Sequence, residues 1–420
     1  MLSTKQKQAY DSFLQGKNIF VTGPGGSGKS YLVQYILENS KKKIAVTAMT
    51  GCAAILLGCG ARTLHSWAGI GLGESSTDML VSRIKRKQGC LGQWKKTDVL
   101  IIDEVSMMKV SLFQKLNEIA KKLRKNEKPF GGMQLILLGD FCQLPPVSKG
   151  LEEEPFLFES DTWEECIEKV IYLDEIKRQS DTTFQTVLNK IRLGDIDDDV
   201  ETFLHSRVQK SPTICTKMYP TNNKVDNLNY EELEKIKDVS VIHRATHHLE
   251  QTVNSRSYSI MEIENEVKNM HKNCPYDELV ELKKGAQVIL IANMSIENGL
   301  VNGSQGIITK FEGTIPVVKF LNGKEIPIDV YEWESTEIPE LSIRQIPLRL
   351  AWAISIHKCQ GMTLDTVDID VGRSIFECGQ AYVALSRVKT PEGLFIKSLD
   401  VSRIKVNPKV KEFYENLIEN

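Results

Sequence analysis

The sequence predicts an α/β protein built on doubly wound parallel sheets. Four short runs point to it: Ile19-Phe20-Val21-Thr22, Ile44-Ala45-Val46-Thr47, Val99-Leu100-Ile101-Ile102 and Leu135-Ile136-Leu137-Leu138. Each is apolar on both faces, as strands covered by helices on either side must be. Helical stretches such as Ser30 to Glu38 and Ser111 to Arg124 separate them. That alternation places an α/β domain over about residues 1–165. A third observation is a glycine-rich turn directly after the first strand, taken up below.

The pattern resumes more loosely after Tyr172, with strands expected at Val367 to Val371 and Leu394 to Ile396. Inside this second region the character changes. Asn322-Gly323 stands between β-rich flanks, and a type I′ hairpin turn suits that pair because it needs positive φ at both central residues. With Asn302-Gly303 upstream, residues of about 285–345 read as a small all-β insertion. The polar stretch from about 236 to 275 carries no clear period and is given no element.

Composition narrows the classes. The chain has 420 residues, ample for a sizeable core. Lys+Arg is 53 and Asp+Glu is 55, so a bulk polycation is excluded, while a local basic groove is not. No run approaches the roughly 18 apolar residues of a membrane span, so no membrane partner is expected. The first residues lack an apolar core and the first arginine is Arg62, so neither a signal peptide nor an Arg-rich transit peptide is expected. Nine scattered cysteines without a Cys-x-x-Cys pair point to a reducing, intracellular compartment, with nucleus, cytoplasm or a viral replication site left open.

Gly23-Pro24-Gly25-Gly26-Ser27-Gly28-Lys29-Ser30 fits G-x-x-x-x-G-K-[ST], between a strand and a helix. Such a loop turns its backbone N–H groups toward phosphate oxygens, and the following helix adds a favourable dipole. Lys29 would reach the β- and γ-phosphates of ATP and Ser30 would ligate Mg2+. Asp103-Glu104 follows the strand Val99 to Ile102, where open α/β sheets bind ligands. Asp103 would hold Mg2+ and Glu104 would orient and deprotonate the attacking water. Gly139-Asp140-Phe141-Cys142-Gln143-Leu144-Pro145-Pro146 follows another buried strand. It reads either as a proline-stiffened turn or as a γ-phosphate sensor with Gln143 as its amide.

Together these motifs resemble a known family. The order Leu2-Ser3-x-x-Gln6, the phosphate loop, Thr50-Gly51-Cys52-Ala53-Ala54 and Thr63 to Gly73 is similar to the PIF-one family of DNA helicases, in the B branch of superfamily one. Ile102 to Met108, Gly139 to Val147, Leu350 to Leu364 and Gly379 to Arg387 extend the resemblance over essentially the whole chain. The resemblance implies two RecA-like domains with ATP between them. The first would be 1–165 with a small wedge insertion at about 70–97. The second would be 166–420, the β insertion of about 285–345 being SH3-like. It implies 5′-to-3′ translocation on single-stranded DNA and unwinding of forked duplex by a monomer, with oligomers on DNA left open. Gln6 would read the adenine, Gly361 would line the nucleotide site, and Arg178 and Arg387 would be arginine fingers from the second domain. Thr50, Gly51, His65, His357 and Lys358 match positions that face DNA. Trp67 is read as a base-stacking platform or as core. The basic run Arg83-Ile84-Lys85-Arg86-Lys87 is read as a duplex contact or a solvated helix face.

Lys177 stands where the family often has an aromatic, and Cys359 where it usually has serine. Asn223-Lys224-Val225-Asp226 matches a guanine-reading motif in form, but Gln6 favours adenine. His243 and His247 are spaced i,i+4, yet no Glu follows His243, so a zincin is excluded. The rival to a motor is an ATP-gated single-strand clamp without processive unwinding. Such a clamp is expected to lack one of Lys29, Glu104, Gln143, Arg178 and Arg387, all present here.

Overall fold

Six parallel strands form the sheet that carries the phosphate loop: β1 (Ile19–Thr22), β2 (Ile44–Ala48), β3 (Arg62–Thr63), β4 (Val99–Asp103), β5 (Gln134–Gly139) and β6 (Lys169–Tyr172). Their order is β3-β2-β4-β5-β1-β6. The computed structural model describes every residue except Met1, Leu72, 147–153, 251–257, Ile296, Thr336, Glu337, Pro339 and Asn420. Leu72 and Val147, quoted in the motifs above, therefore lie outside the described residues. Every residue of β1, β4 and β5 is buried, which accounts for their unbroken apolar runs. Thr22 stands opposite Gly139 on one side and Tyr172 on the other.

The helices of this region follow local signals. Helix α1 (Thr4–Leu14) starts in a capping box: Ser3 accepts from the Gln6 N–H and Gln6 reaches back to Ser3. Such a cap stabilises a helix start by about 1 kcal/mol. Helix α2 (Lys29–Glu38) begins after Gly28, which is left-handed at φ 87°. Helix α3 (Gly51–Leu57) follows β2, and α4 (Leu64–Ala68) follows β3. Helices α5 (Thr77–Arg86) and α6 (Gln88–Lys96) fill the stretch expected to be an insertion, and α5 carries the basic run in its last turn. Helix α7 (Val110–Arg124) buries Phe113, Leu116, Ile119 and Leu123.

The chain divides into two compact units. The first comprises Met1–Asp195, Glu377–Tyr382 and Ile404–Asn420. The boundary thus falls after Asp195 rather than at 165. The physical reason is β6, which completes the first sheet against β1 and keeps the segment behind it in the same unit. The last helix, Pro408–Glu419, belongs here too. Its Phe413 stacks on Phe158 at 4.5 Å, next to Phe141, which meets Phe20 and Trp163.

The second unit comprises Ile196–Phe376 and Val383–Arg403. Its parallel sheet orders Ala353–Ser355, Thr216–Tyr219, Val367–Val371 and Leu394–Leu399. An antiparallel sheet of five strands spans Gln287–Leu290, Gln305–Glu312, Ile315–Phe320, Glu325–Pro327 and Leu348–Leu350. The hairpin expected at Asn322-Gly323 joins Ile315–Phe320 to Glu325–Pro327. Its turn is not type I′. Gly323 has φ 85°, but Asn322 is not among the positive-φ residues. Phe320 N donates to Lys324 O, which closes a three-residue loop with glycine in the left-handed position. The stretch given no element contains strands Val241–Arg244 and Thr246–Leu249 and helix Ile260–Asn273. His243 and His247 therefore sit on strands, not on a helix. Among the described residues, no helix is long and apolar enough to cross a membrane.

Candidate nucleotide and DNA site

Order in the first sheet places three loops side by side. Strands β4, β5 and β1 are consecutive neighbours, about 4.8 Å apart. Their carboxyl ends lead into Asp103-Glu104, Asp140 to Gln143 and the phosphate loop. Beyond β4 lies β2, whose end leads into Thr50 and Gly51; Met49 N donates to Asp103 O at 3.2 Å.

Within the phosphate loop, Gly23, Gly26 and Gly28 have φ of 147°, 86° and 87°. Gly26 shows why no side chain fits: a Cβ there would lie 2.4 Å from that of Arg178. Gly25 N donates to the Tyr382 hydroxyl at 3.0 Å. Ser27 is buried, and Ser30 is exposed one residue into α2. Lys29 Nζ donates to Gly23 O at 2.8 Å, Pro24 O at 3.1 Å and Ser27 Oγ at 3.5 Å. Burial lowers the Lys29 pKa, opposed by the carboxylates of Asp140, Glu104 and Asp103. Gln6 is buried; its Nε2 donates to Gly28 O at 3.0 Å and its Oε1 accepts from Ser3 N at 2.9 Å.

Asp103 ends β4, and its Oδ1 accepts from Glu104 N at 2.9 Å. Burial, and then the charge of Glu104, push its pKa up to about 7. Glu104 has φ 56° and ψ 42°, a left-handed backbone rare outside glycine and typical of functional turns. A buried carboxyl with a raised pKa beside a second carboxylate is a place where a hard cation is favourable. With the Ser30 hydroxyl it offers the oxygen donors that Mg2+ takes, so the residues fit that ion.

Gln143 is buried, and its N–H donates to Asp140 O at 2.9 Å. Asp140 forms a bidentate pair with Arg192, Nε to Oδ2 at 2.9 Å and Nη2 to Oδ1 at 2.8 Å. The Arg192 guanidinium lies 4.2 Å from the Tyr414 ring centroid. Burial, and then Asp140, push the Tyr414 phenol well up, so it is a neutral hydroxyl.

Arg178 lies in the phosphate-loop unit, not in the second one as expected. The backbone fixes it there, because Lys177 N donates to Gly26 O at 2.8 Å. Thr50 Oγ1 accepts from Ala53 N at 3.2 Å at the start of α3, which begins at Gly51. His65 sits on α4 after the Thr63 cap, and burial lowers its pKa. Trp67 sits in the core. It is 1% exposed and packs on Trp94, ring centroids 4.7 Å apart, so its apolar surroundings have made it core.

In the second unit, strand Ala353–Ser355 leads into Ile356-His357-Lys358. His357 is exposed and Lys358 half-buried, with Lys358 N donating to Ser355 Oγ at 3.4 Å. Gly361 is exposed, with φ 81°. Arg387 is buried; its Nε donates to Val383 O and its Nη2 to Ser386 Oγ, each at 2.7 Å.

The family described as PIF1-like helicase matches residues 1–202, and the 2B domain of DNA helicase Pif1 matches residues 266–311. The chain is 39% identical over 427 residues to the ATP-dependent DNA helicase PIF1 of Xenopus laevis, covering 99% of this chain and 64% of that protein. It is 33% identical to the ATP-dependent DNA helicase RRM3 of Saccharomyces cerevisiae, covering 99% and 68%. The chain belongs to the Pif1-like helicase family. The solved Pif1 helicase from Candida albicans superposes with a TM-score of 0.77 at 37% identity, covering 99% of each chain. Bacteroides Pif1 in complex with ADP-AlF3 and ssDNA superposes at 0.69 with 28% identity, covering 100% of this chain and 97% of that one.

Sequence reasoning did not assign roles to Asp140, Arg192, Tyr382 and Tyr414 in this Pif1-like chain. Asp140 and Tyr382 stand inside motifs that were quoted, beside Gln143 and Gln380, and that adjacency was a usable signal. Arg192 and Tyr414 carry no local signal, since only the folded chain brings them to the end of β5.

Proposed function

We propose that this chain is an ATP- and Mg2+-dependent DNA helicase that moves 5′ to 3′ on single-stranded DNA and opens forked duplex. The observation that carries the reading is the convergence of Lys29, Asp103-Glu104 and Gln143 on the carboxyl ends of neighbouring strands. Lys29 would exchange its bonds to Gly23 O and Pro24 O for β- and γ-phosphate oxygens. Glu104 would orient the attacking water and take its proton. The Gln143 amide would read the γ-phosphate, while Gln6 would read the adenine. Arg178, held at Gly26, and Arg387 would place permanent positive charge on the transferring phosphoryl group. Ser30 and Asp103 would hold Mg2+, which supplies neutralisation of the phosphate charge. Thr50 and Gly51 share the sheet edge with Asp103, so a strand gripped there would sense the nucleotide end of β4. His65, His357 and Lys358 would hold the DNA backbone. The Bacteroides relative's complex with ADP-AlF3 and ssDNA supports this assignment of ligands.

Two assays test it. ATP turnover should rise with single-stranded DNA, and Lys29→Ala should abolish turnover while DNA binding persists. Duplexes with a 5′ tail should open and those with a 3′ tail should not. Opening from the 3′ tail would overturn the polarity. Stimulated turnover with no opening of either substrate would leave the clamp as the correct reading.

A further inference from the structure

The nucleotide loops of the first unit are pinned from the far end of the sequence. The β1–β5 ladder ends at Thr22 opposite Gly139, and the phosphate loop and the Gln143 loop start at the next residues. There the Tyr414 hydroxyl takes over. It lies 2.6 Å from Thr22 Oγ1 and accepts from Phe141 N at 3.1 Å. Tyr414 is fully buried and its ring packs under Arg192, the partner of Asp140. Asp140 in turn shapes the Gln143 turn, since its Oδ1 accepts from Cys142 N and its carbonyl from Gln143 N.

We propose that Tyr414 is a positioning residue for ATP hydrolysis, holding the loop of Lys29 and the loop of Gln143 in one register. This rests on the proposed ATPase reading of that site. Lys29 and Gln143 must meet the same γ-phosphate, and errors of an ångström between such groups are felt mainly in the rate. Two hydrogen bonds from one buried hydroxyl, one to each loop's root, fix that separation. The phenol ring contributes packing and the contact with Arg192; the hydroxyl contributes the link between the loops. The two roles are separable by Tyr414→Phe.

The test is steady-state ATPase at saturating single-stranded DNA. Tyr414→Phe should lower kcat about tenfold while KM for ATP stays within about twofold. Thr22→Val should give the same loss, the double variant should lose no more than either single one, and Thr22→Ser should recover most of the rate. A Tyr414→Phe enzyme with parental kcat, whatever its melting temperature, would overturn the proposal, as would additive losses in the double variant. If Tyr414→Phe fails to fold, Thr22→Val against Thr22→Ser decides: equal kcat in the two refutes the link, and a loss confined to valine supports it. A parent chain without DNA-stimulated turnover would overturn the proposed function and this inference with it. An active parent with an unaffected phenylalanine variant would overturn the inference alone.

Discussion

Arg192 donates two hydrogen bonds to Asp140, and both side chains are fully buried. The pair stands where β5 opens into the Gln143 loop, so a carboxylate is held charged inside the core next to the phosphate loop. Its field reaches Lys29, whose pKa it works to raise against burial.

Breaking this pair should be costly. Arg192→Leu leaves a buried carboxylate without its cation, and a loss of about 3–5 kcal/mol is expected in chemical denaturation at pH 7. The stability should also depend on pH. Burial alone would raise the Asp140 pKa, but Arg192 reverses this and holds it below the ordinary value. The parent therefore keeps the pair's contribution above the unfolded Asp value of about 3.9 and loses it only as pH falls further. In Arg192→Leu burial is opposed only by Lys29 and the Cys142 N–H, so protonation relieves the variant. The stability gap between the two proteins should narrow from pH 7 toward pH 4; a constant gap would count against the assignment.

If Asp103 holds Mg2+ as proposed, metal use should depend on pH. With its pKa raised to about 7 by burial and by Glu104, a proton competes with the cation below that value. The Mg2+ concentration needed for half-maximal nucleotide binding should fall about fivefold from pH 6 to pH 7 and level off above about pH 8. Glu104→Gln removes the neighbouring charge and should shift that profile to lower pH. Titration of bound nucleotide with Mg2+ at each pH reads both effects.

The two arginines should fail differently. Arg387→Ala should keep nucleotide affinity within about twofold and lower kcat about a thousandfold, as a group acting only in the transition state does. The Lys177 backbone bond holds Arg178 beside Gly26 of the phosphate loop, so its side chain would meet bound nucleotide in the ground state as well. Arg178→Ala should raise KM for ATP about tenfold in addition to slowing turnover. Nucleotide binding and single-turnover hydrolysis separate the two patterns.

The first sheet was legible because its strands are buried on both faces. Ile19–Thr22 was read residue for residue, and β4 and β5 within a residue at each end. The phosphate loop and the acidic pair were legible because their chemistry is local in sequence. Arg178 was assigned to the wrong unit because a chain running on past β6 leaves no mark of the unit it packs with. Trp67 offered two readings, and only burial against Trp94 decides between them. At Asn322 the residue type suited a two-residue turn, while the strand register required three. Helix Ile260–Asn273 was missed although its capping box, Ser259 with Glu262, is written in the sequence.

The first unit joins segments that lie far apart along the chain. Thr22 meets its hydroxyl partner 392 residues further along the chain. At about 5–20 residues per second, a ribosome needs roughly 20–80 s to deliver Tyr414 after Thr22 has emerged. Once β5 has emerged, the nascent sheet can form its β1–β5 ladder but lacks the helix whose buried Tyr414 locks it, and the aromatic nest around Phe141 lacks Phe413. Emergence of Tyr414, rather than of the first 195 residues, is then the moment at which this unit closes, and a chain stopped before that helix would leave its apolar seam open to aggregation.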